Sequence, residues 1–140
     1  IALKARLCDL IVTLMRSLPM EARSPREEMR RLKRLERLSQ VFDYVQEHHA
    51  RPISLGEIAG VAHFSPYYFT RFFREATGMT FGQYLNNFRV AKAAEYLRDT
   101  SDSITDIGFS AGFGSVKSFN RVFRQVKGCS PSAYKRAISE

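Results

Sequence analysis

Residues 54–84 recur in altered form at residues 103–134, and this internal repeat narrows the folds open to the chain more than any other feature. Leu55, Ile58, Ala62 and Phe64 correspond to Ile104, Ile107, Ala111 and Phe113 at a spacing of 49. Phe69, Arg71, Phe73, Arg74, Gly78 and Tyr84 correspond to Phe119, Arg121, Phe123, Arg124, Gly128 and Tyr134 at a spacing of 50. One extra residue in the second turn accounts for the difference. The copies share starts, apolar positions and stops, so each is one supersecondary unit used twice.

Each copy reads as helix, short turn, helix. Ser54-x-x-Glu57 and Ser103-x-x-Asp106 open the first helices as capping boxes. Ser65-Pro66 supplies a cap and a first-turn proline for the second helix of the first copy, and Gly78 stops it. In the second copy the matching helix runs from Ser115 to Lys127 and Gly128 stops it. At about 100° per residue, Phe69, Phe72, Phe73 and Ala76 share one side, and Tyr67, Thr70, Arg71 and Arg74 share the other. The same reading puts Phe119, Val122, Phe123 and Val126 inward, and Lys117, Asn120, Arg121 and Arg124 outward. Neither outward set of four contains a carboxylate, which suits a polyanion. This is the helix-turn-helix arrangement, whose second helix fits the major groove while the first braces the backbone. The plainer alternative is a pair of structural hairpins with ordinary wet faces.

Between the copies, Thr80-Phe81-Gly82-Gln83 opens a helix to Arg98. Its apolar residues lie on more than one side, including Phe81, Tyr84, Leu85, Phe88, Val90, Ala93, Ala94 and Leu97, so it needs cover twice over. Roughly 18 residues at 1.5 Å each give a strut of about 27 Å, against about 34 Å between successive major-groove faces. A rigid strut of that length would present both second helices to one side of a duplex. Arg89 on the strut is expected either to contact phosphate or to be solvated. After Gly128, Ser130-Pro131 opens a last helix with Ala133, Tyr134 and Ile138 as its packing face and Lys135 and Arg136 outside.

Upstream, Leu3, Leu7, Leu10, Leu14 and Leu18 mark an amphipathic helix that Pro19 ends. Its apolar face is expected to meet a second chain or a missing upstream domain. Ser24-Pro25-Arg26-Glu27 caps a further helix that runs to His48. The first half of that helix is crowded with charge and reads as a solvated connector with Glu27–Arg31 pairing, or as a phosphate contact. The second half carries Leu35, Leu38, Phe42 and Val45 and belongs to the core that follows. The expected organisation is a linker and dimerisation segment over 1–34 and a DNA-binding domain over 35–140. Within the latter lie a first helix-turn-helix at 54–78, a linking helix at 81–98 and a second helix-turn-helix at 103–128.

Charge points to the partner. The chain holds 22 basic and 14 acidic residues, a formal net charge of +8, which favours an anionic partner, nucleic acid before membrane. The excess is spread: 12 basic against 7 acidic from Arg51 onward, and 10 against 7 before it. No apolar run approaches the roughly 18 residues of a membrane span. The chain opens on Ile1 without a secretory signal and is expected to be a fragment of something longer. Cys8 and Cys129 are far apart and read as two thiols in a reducing cytoplasm. His48 and His49 would diverge on a helix and His63 has no partner at ligand spacing, so no metal is expected. No nucleophile elbow, phosphate-binding glycine loop or paired carboxylates in an apolar setting are found, so neither an enzyme nor a cofactor is expected.

Several motifs together resemble a known family. They are Ser65-Pro66-Tyr67-Tyr68-Phe69-Thr70-Arg71-Phe72-Phe73-Arg74, Thr77-Gly78-Met79, Tyr84-Leu85 and Leu97-Arg98-Asp99 in the first part. The second part adds Ile104-Thr105-Asp106-Ile107, Gly112-Phe113, Ser118-Phe119-Asn120-Arg121-Val122-Phe123-Arg124 and Gly128-Cys129-Ser130-Pro131-Ser132-Ala133-Tyr134. Residues 54–134 thus resemble the DNA-binding domain of the AraC/XylS family of bacterial transcription regulators. The resemblance implies an all-α fold of seven helices, with two helix-turn-helix units joined by a linking helix and bound to adjacent major-groove segments. It implies base reading by Tyr67, Thr70 and Arg71 in one half and by Val116, Lys117, Asn120 and Arg121 in the other, and Arg74 is added to the first set. Ser65, Arg89, Ser115, Arg124, Lys135 and Arg136 are the expected phosphate contacts. Members usually join this module to a sensing or dimerisation domain, whose trailing helices residues 1–34 look like.

The chain departs from the family pattern at Gly108, where alanine is usual, and at Val116, often polar in relatives. Gly108 is expected to loosen the second unit, since glycine costs a helix ~1 kcal/mol relative to alanine. The expected function is a cytoplasmic, nucleoid-associated regulator of a promoter, acting by recruitment or hindrance of RNA polymerase. It would answer to an effector sensed by an absent domain and form a homodimer through Leu3–Leu18. The alternatives are a helical module for an acidic protein partner and a sequence-indifferent DNA-packing protein. Because Tyr67 and Thr70 differ from Lys117 and Asn120, the DNA site is expected to be asymmetric.

Overall fold

Serine caps and left-handed stop residues divide the chain into helices close to where the sequence places them. The computed structural model describes residues 24–139. Cys8 and the helix expected over Leu3–Leu18 lie outside the described residues. Among the described residues there are seven helices and no strand: α1 (Pro25–His48), α2 (Leu55–Val61), α3 (Pro66–Thr77), α4 (Phe81–Asp99), α5 (Ile104–Ala111), α6 (Val116–Lys127) and α7 (Pro131–Ser139). The fold is therefore all-α, with two helix-turn-helix pairs, α2–α3 and α5–α6, and α4 between them in the chain.

The two pairs repeat each other down to their hydrogen bonds. Ser54 and Ser103 accept from the N–H groups of Glu57 and Asp106 at the starts of α2 and α5. Ser65 and Ser115 accept from Tyr68 and Ser118 at the starts of α3 and α6. Each cap satisfies a donor that the first helical turn leaves open. In the turns, the Phe64 N–H donates to the Ala59 carbonyl at 2.9 Å and the Phe113 N–H to the Gly108 carbonyl at 3.0 Å. The residues before them, His63 and Gly112, are both left-handed, with φ of 60° and 109°. Gly78 and Gly128 end α3 and α6 at φ of 77° and 80°, each N–H donating to the arginine four residues back at 2.9 Å.

Two compact units divide the described residues: 24–47 with Ile53–Phe81, and His48–Pro52 with 82–139. The first buries Leu38, Val41, Phe42 and Val45 of α1, Ile58 and Ala59 of α2, and Phe69, Phe72 and Phe73 of α3. Phe73 meets Phe42 edge-on at 6.4 Å and Phe81 at 5.6 Å, the perpendicular geometry that aromatic quadrupoles favour. The second unit has its own core of Val90, Ala93, Ala94 and Leu97 with Ile107, Ala111, Phe113, Phe119, Val122 and Phe123. Tyr134 of α7 closes it edge-on against Phe123 at 5.5 Å.

Several expectations need correction. Helical periodicity places Val126 inward, yet it is 42% exposed in the final turn of α6, beyond the reach of the core. Ile138 does not share the α7 packing face and is 41% exposed near that helix's end. Leu55, in the first turn of α2, is exposed too. The charged half of α1 is more than a solvated connector. Arg37 lies over the Phe64 ring at 4.6 Å and Arg34 over Phe72 at 5.3 Å, cation–π contacts within the first unit. Arg31 pairs with Glu28 at 3.1 Å rather than with Glu27, whose carboxylate instead accepts from the Ser24 N–H.

Gly108 is the most informative correction. A Cβ there would fall 2.6 Å from Phe119 Cδ2 and 2.9 Å from Cγ, so the missing side chain makes room for a buried ring. The glycine tightens the α5–α6 contact where propensity alone suggests loosening. Gly108→Ala is therefore expected to lower stability by about 1–3 kcal/mol through overpacking, despite alanine's better helix propensity. Urea denaturation of the two proteins checks this, and a stabilised variant would show the packing reading to be wrong.

Candidate nucleic-acid interface

Fixing the inward phenylalanines of α3 and α6 fixes what faces solvent. Tyr67, Thr70, Arg71 and Arg74 are all exposed on α3, and Tyr67 is 74% exposed. Val116, Lys117, Asn120, Arg121 and Arg124 are likewise exposed on α6. Each base-reading residue expected from the sequence thus lies on the solvent side of its own helix. An exposed tyrosine and several arginines with no core contact to satisfy are equipped to stack and to donate hydrogen bonds.

Local contacts shape the first face. The Arg71 guanidinium lies over the Tyr67 ring at 6.0 Å. The Thr70 hydroxyl donates to the Pro66 carbonyl at 3.0 Å, leaving its lone pairs and methyl group outward. Ser65 and Ser115 use their oxygens as caps, and each hydroxyl hydrogen remains a donor at a helix N-terminus, where the backbone dipole favours anions.

In the second unit, Asn120, Arg121 and Arg124 of α6 line a shallow groove with Ser130 and Ser132 at the start of α7. Ser130 accepts from the Ala133 N–H at 3.1 Å as the cap of α7. Neither serine figures among the expected contacts, although Ser130-Pro131 signals the helix start that brings them there. A second open cleft gathers Lys135, Arg136, Ser132, Ser139 and Ile104. Lys135 Nζ donates to the Asp102 carbonyl at 3.4 Å, and Arg136 is exposed.

Arg89 also has a role inside the second unit. Its Nε donates to the His49 carbonyl and its terminal nitrogen to the Arg51 carbonyl, both at 2.9 Å. Burial lowers its guanidinium pKa from the usual value. The half-buried side chain ties the His48–Pro52 segment to α4. A Cβ on Gly112 would collide with the His49 oxygen and fall 2.7 Å from Arg89 Nε, so the turn of the second unit sits directly on this tie.

Comparison with known proteins agrees with this geometry. A family model described as a helix-turn-helix domain matches residues 58–137, more than half of the chain. The regulatory protein SoxS of Salmonella typhimurium strain LT2 is 33% identical over 98 residues, covering 70% of this chain and 92% of SoxS. The chain belongs to the AraC family of DNA-binding transcription regulators. The transcriptional activator RhaS of Enterobacter sp. strain 638 is 36% identical over 95 residues, 68% of this chain and 34% of RhaS. The chain spans about a third of the regulatory protein PocR as well, at 34% of its length. The DNA-binding domain of AdpA, solved in complex with a target DNA, superposes with a TM-score of 0.68 at 31% identity, covering 71% of this chain and 90% of that one. An AraC-type regulator from Chromobacterium violaceum has the same fold, with a TM-score of 0.69.

For this member of the AraC family, the Arg89 tie carries a prediction. Arg89→Gln leaves two backbone carbonyls without their charged donor and is expected to cost about 1–3 kcal/mol of stability. Denaturant unfolding reads the loss, and an unchanged midpoint would show that the tie contributes nothing.

Proposed function

We propose that this chain binds a specific duplex by placing α3 and α6 in adjacent major-groove segments. The observation that carries the reading is the pair of matched solvent faces. Tyr67, Thr70, Arg71 and Arg74 on α3 stand at the same repeat positions as Lys117, Asn120, Arg121 and Arg124 on α6, all exposed and none of them a carboxylate. The DNA-bound AdpA relative supports it. Bases are read by the α3 set and by Val116, Lys117, Asn120 and Arg121. Arginine suits the paired acceptors of guanine and asparagine the donor–acceptor pair of adenine.

Phosphate contacts come from Ser65, Ser115, Arg124, Lys135 and Arg136, which fix register without reading sequence. Arg89 joins this set through the guanidinium N–H donors that do not serve the His49 and Arg51 carbonyls. The consequence of binding is promoter control through recruitment or hindrance of RNA polymerase, under an effector-sensing domain outside this chain. Pairing of two chains through Leu3–Leu18 belongs to the same proposal, as does residence on the nucleoid. Chemistry has no part in it: the protein acts by occupancy.

A duplex selected from a random pool provides the test. Arg71→Ala and Arg121→Ala are each expected to lose about 1–3 kcal/mol of discrimination between the selected duplex and one altered in the matching half. Fluorescence anisotropy at fixed salt measures it. Discrimination unchanged in both variants removes the base-reading assignment, and equal wild-type affinity for all duplexes would mean a packing protein.

A further inference from the structure

One carboxylate lies on the two proposed reading helices, Glu75 of α3, and the structure shows what holds it. Glu75 stands four residues after Arg71, close enough along a helix for the two side chains to pair. They do not pair. The Glu75 carboxylate is instead 3.6 Å from the Arg34 guanidinium of α1, and Arg71 lies over Tyr67. Arg34 is itself seated over the Phe72 ring. The repeat supplies a control: the residue matching Glu75 in α6 is Gln125, which is uncharged, and α6 contains no acidic residue at all.

We infer that Arg34 positions the first reading helix electrostatically, holding Glu75 so that it neither captures Arg71 nor repels phosphate. This rests on the proposed DNA-binding reading and adds to it a specificity role for a residue of α1. Arg34 and Glu75 are separated by 41 positions in the chain, so the contact exists only in the folded unit. Both side chains are partly exposed, at 43% and 60%, so the pair adds little to folding. Its effect falls on binding, where an approaching polyanion magnifies the difference between a masked and an unmasked carboxylate. The charge-rich half of α1, which looks like a connector, thereby becomes part of the reading apparatus. A displacement of α1 would unmask Glu75 and weaken the first half of the interface.

Four versions of the chain test this on the duplex selected from a random pool and on a scrambled duplex: wild type, Arg34→Gln, Glu75→Gln and the double variant. Arg34→Gln is expected to weaken binding to the selected duplex by about three- to tenfold and to reduce discrimination. Glu75→Gln should bind at least as tightly as wild type, and the double variant should behave like Glu75→Gln alone. Thermal midpoints close to wild type are expected throughout. If Arg34→Gln weakens binding equally with and without the Glu75→Gln change, Arg34 touches DNA directly and the inference fails. No effect of Arg34→Gln, or weakened binding by Glu75→Gln, would overturn it equally. A wild-type chain without preference for any duplex would instead sink the underlying function, a result distinct from all of these.

Discussion

In both helix-turn-helix units one short backbone hydrogen bond closes the turn, from Phe64 to Ala59 and from Phe113 to Gly108. The bond forms only because the preceding residue is left-handed, which reverses the chain within the space of two residues. It brings each phenylalanine back toward the first helix, and the direction of the second helix follows. Once that direction is set, Phe69, Phe72 and Phe73, or Phe119, Val122 and Phe123, can only point inward, and the polar residues between them only outward. The second unit adds a stricter condition. Gly112 leaves no room for a Cβ against the His49 carbonyl, and Arg89 holds that carbonyl in place. In the first unit His63 takes the left-handed position at a cost on the order of 1–2 kcal/mol.

Most of this was legible because the signals are local. Caps, stops and helical periodicity act within four residues, so Ser65, Ser115, Gly78 and Gly128 could be assigned from spacing alone, and the outward faces of α3 and α6 followed. What escaped depended on contacts between distant residues. Gly108 looks like a weak point until the Phe119 ring above it is seen. The Arg89 tie depends on carbonyls about forty residues earlier in the chain, which no local pattern signals. Arg34 and Arg37 look solvated until their rings appear. Val126 and Ile138 show a different limit. Periodicity assigns a side of the helix but does not tell where along it the core stops.

The functional consequence is that two copies of one fold carry different chemistry. Core, caps and stops are kept between the units, while the outward residues diverge from Tyr67 and Thr70 to Lys117 and Asn120. Aromatic and hydroxyl groups adapt to base steps and methyl groups, whereas an amide and an ammonium read donor and acceptor patterns. The supporting residues differ as well: Glu75 lies 3.6 Å from Arg34, where the matching residue of α6 is the uncharged Gln125.

On the proposed function, one chain reads two non-equivalent segments of a single duplex. Hydroxyl-radical footprinting of the selected duplex, with a partial loss-of-contact series for Arg71→Ala and Arg121→Ala, tests it most directly. Two protected segments about one helical turn apart on one side of the DNA are expected, of unlike sequence, each weakened by a different one of the two substitutions. A single protected segment, or two weakened alike by either substitution, would contradict it.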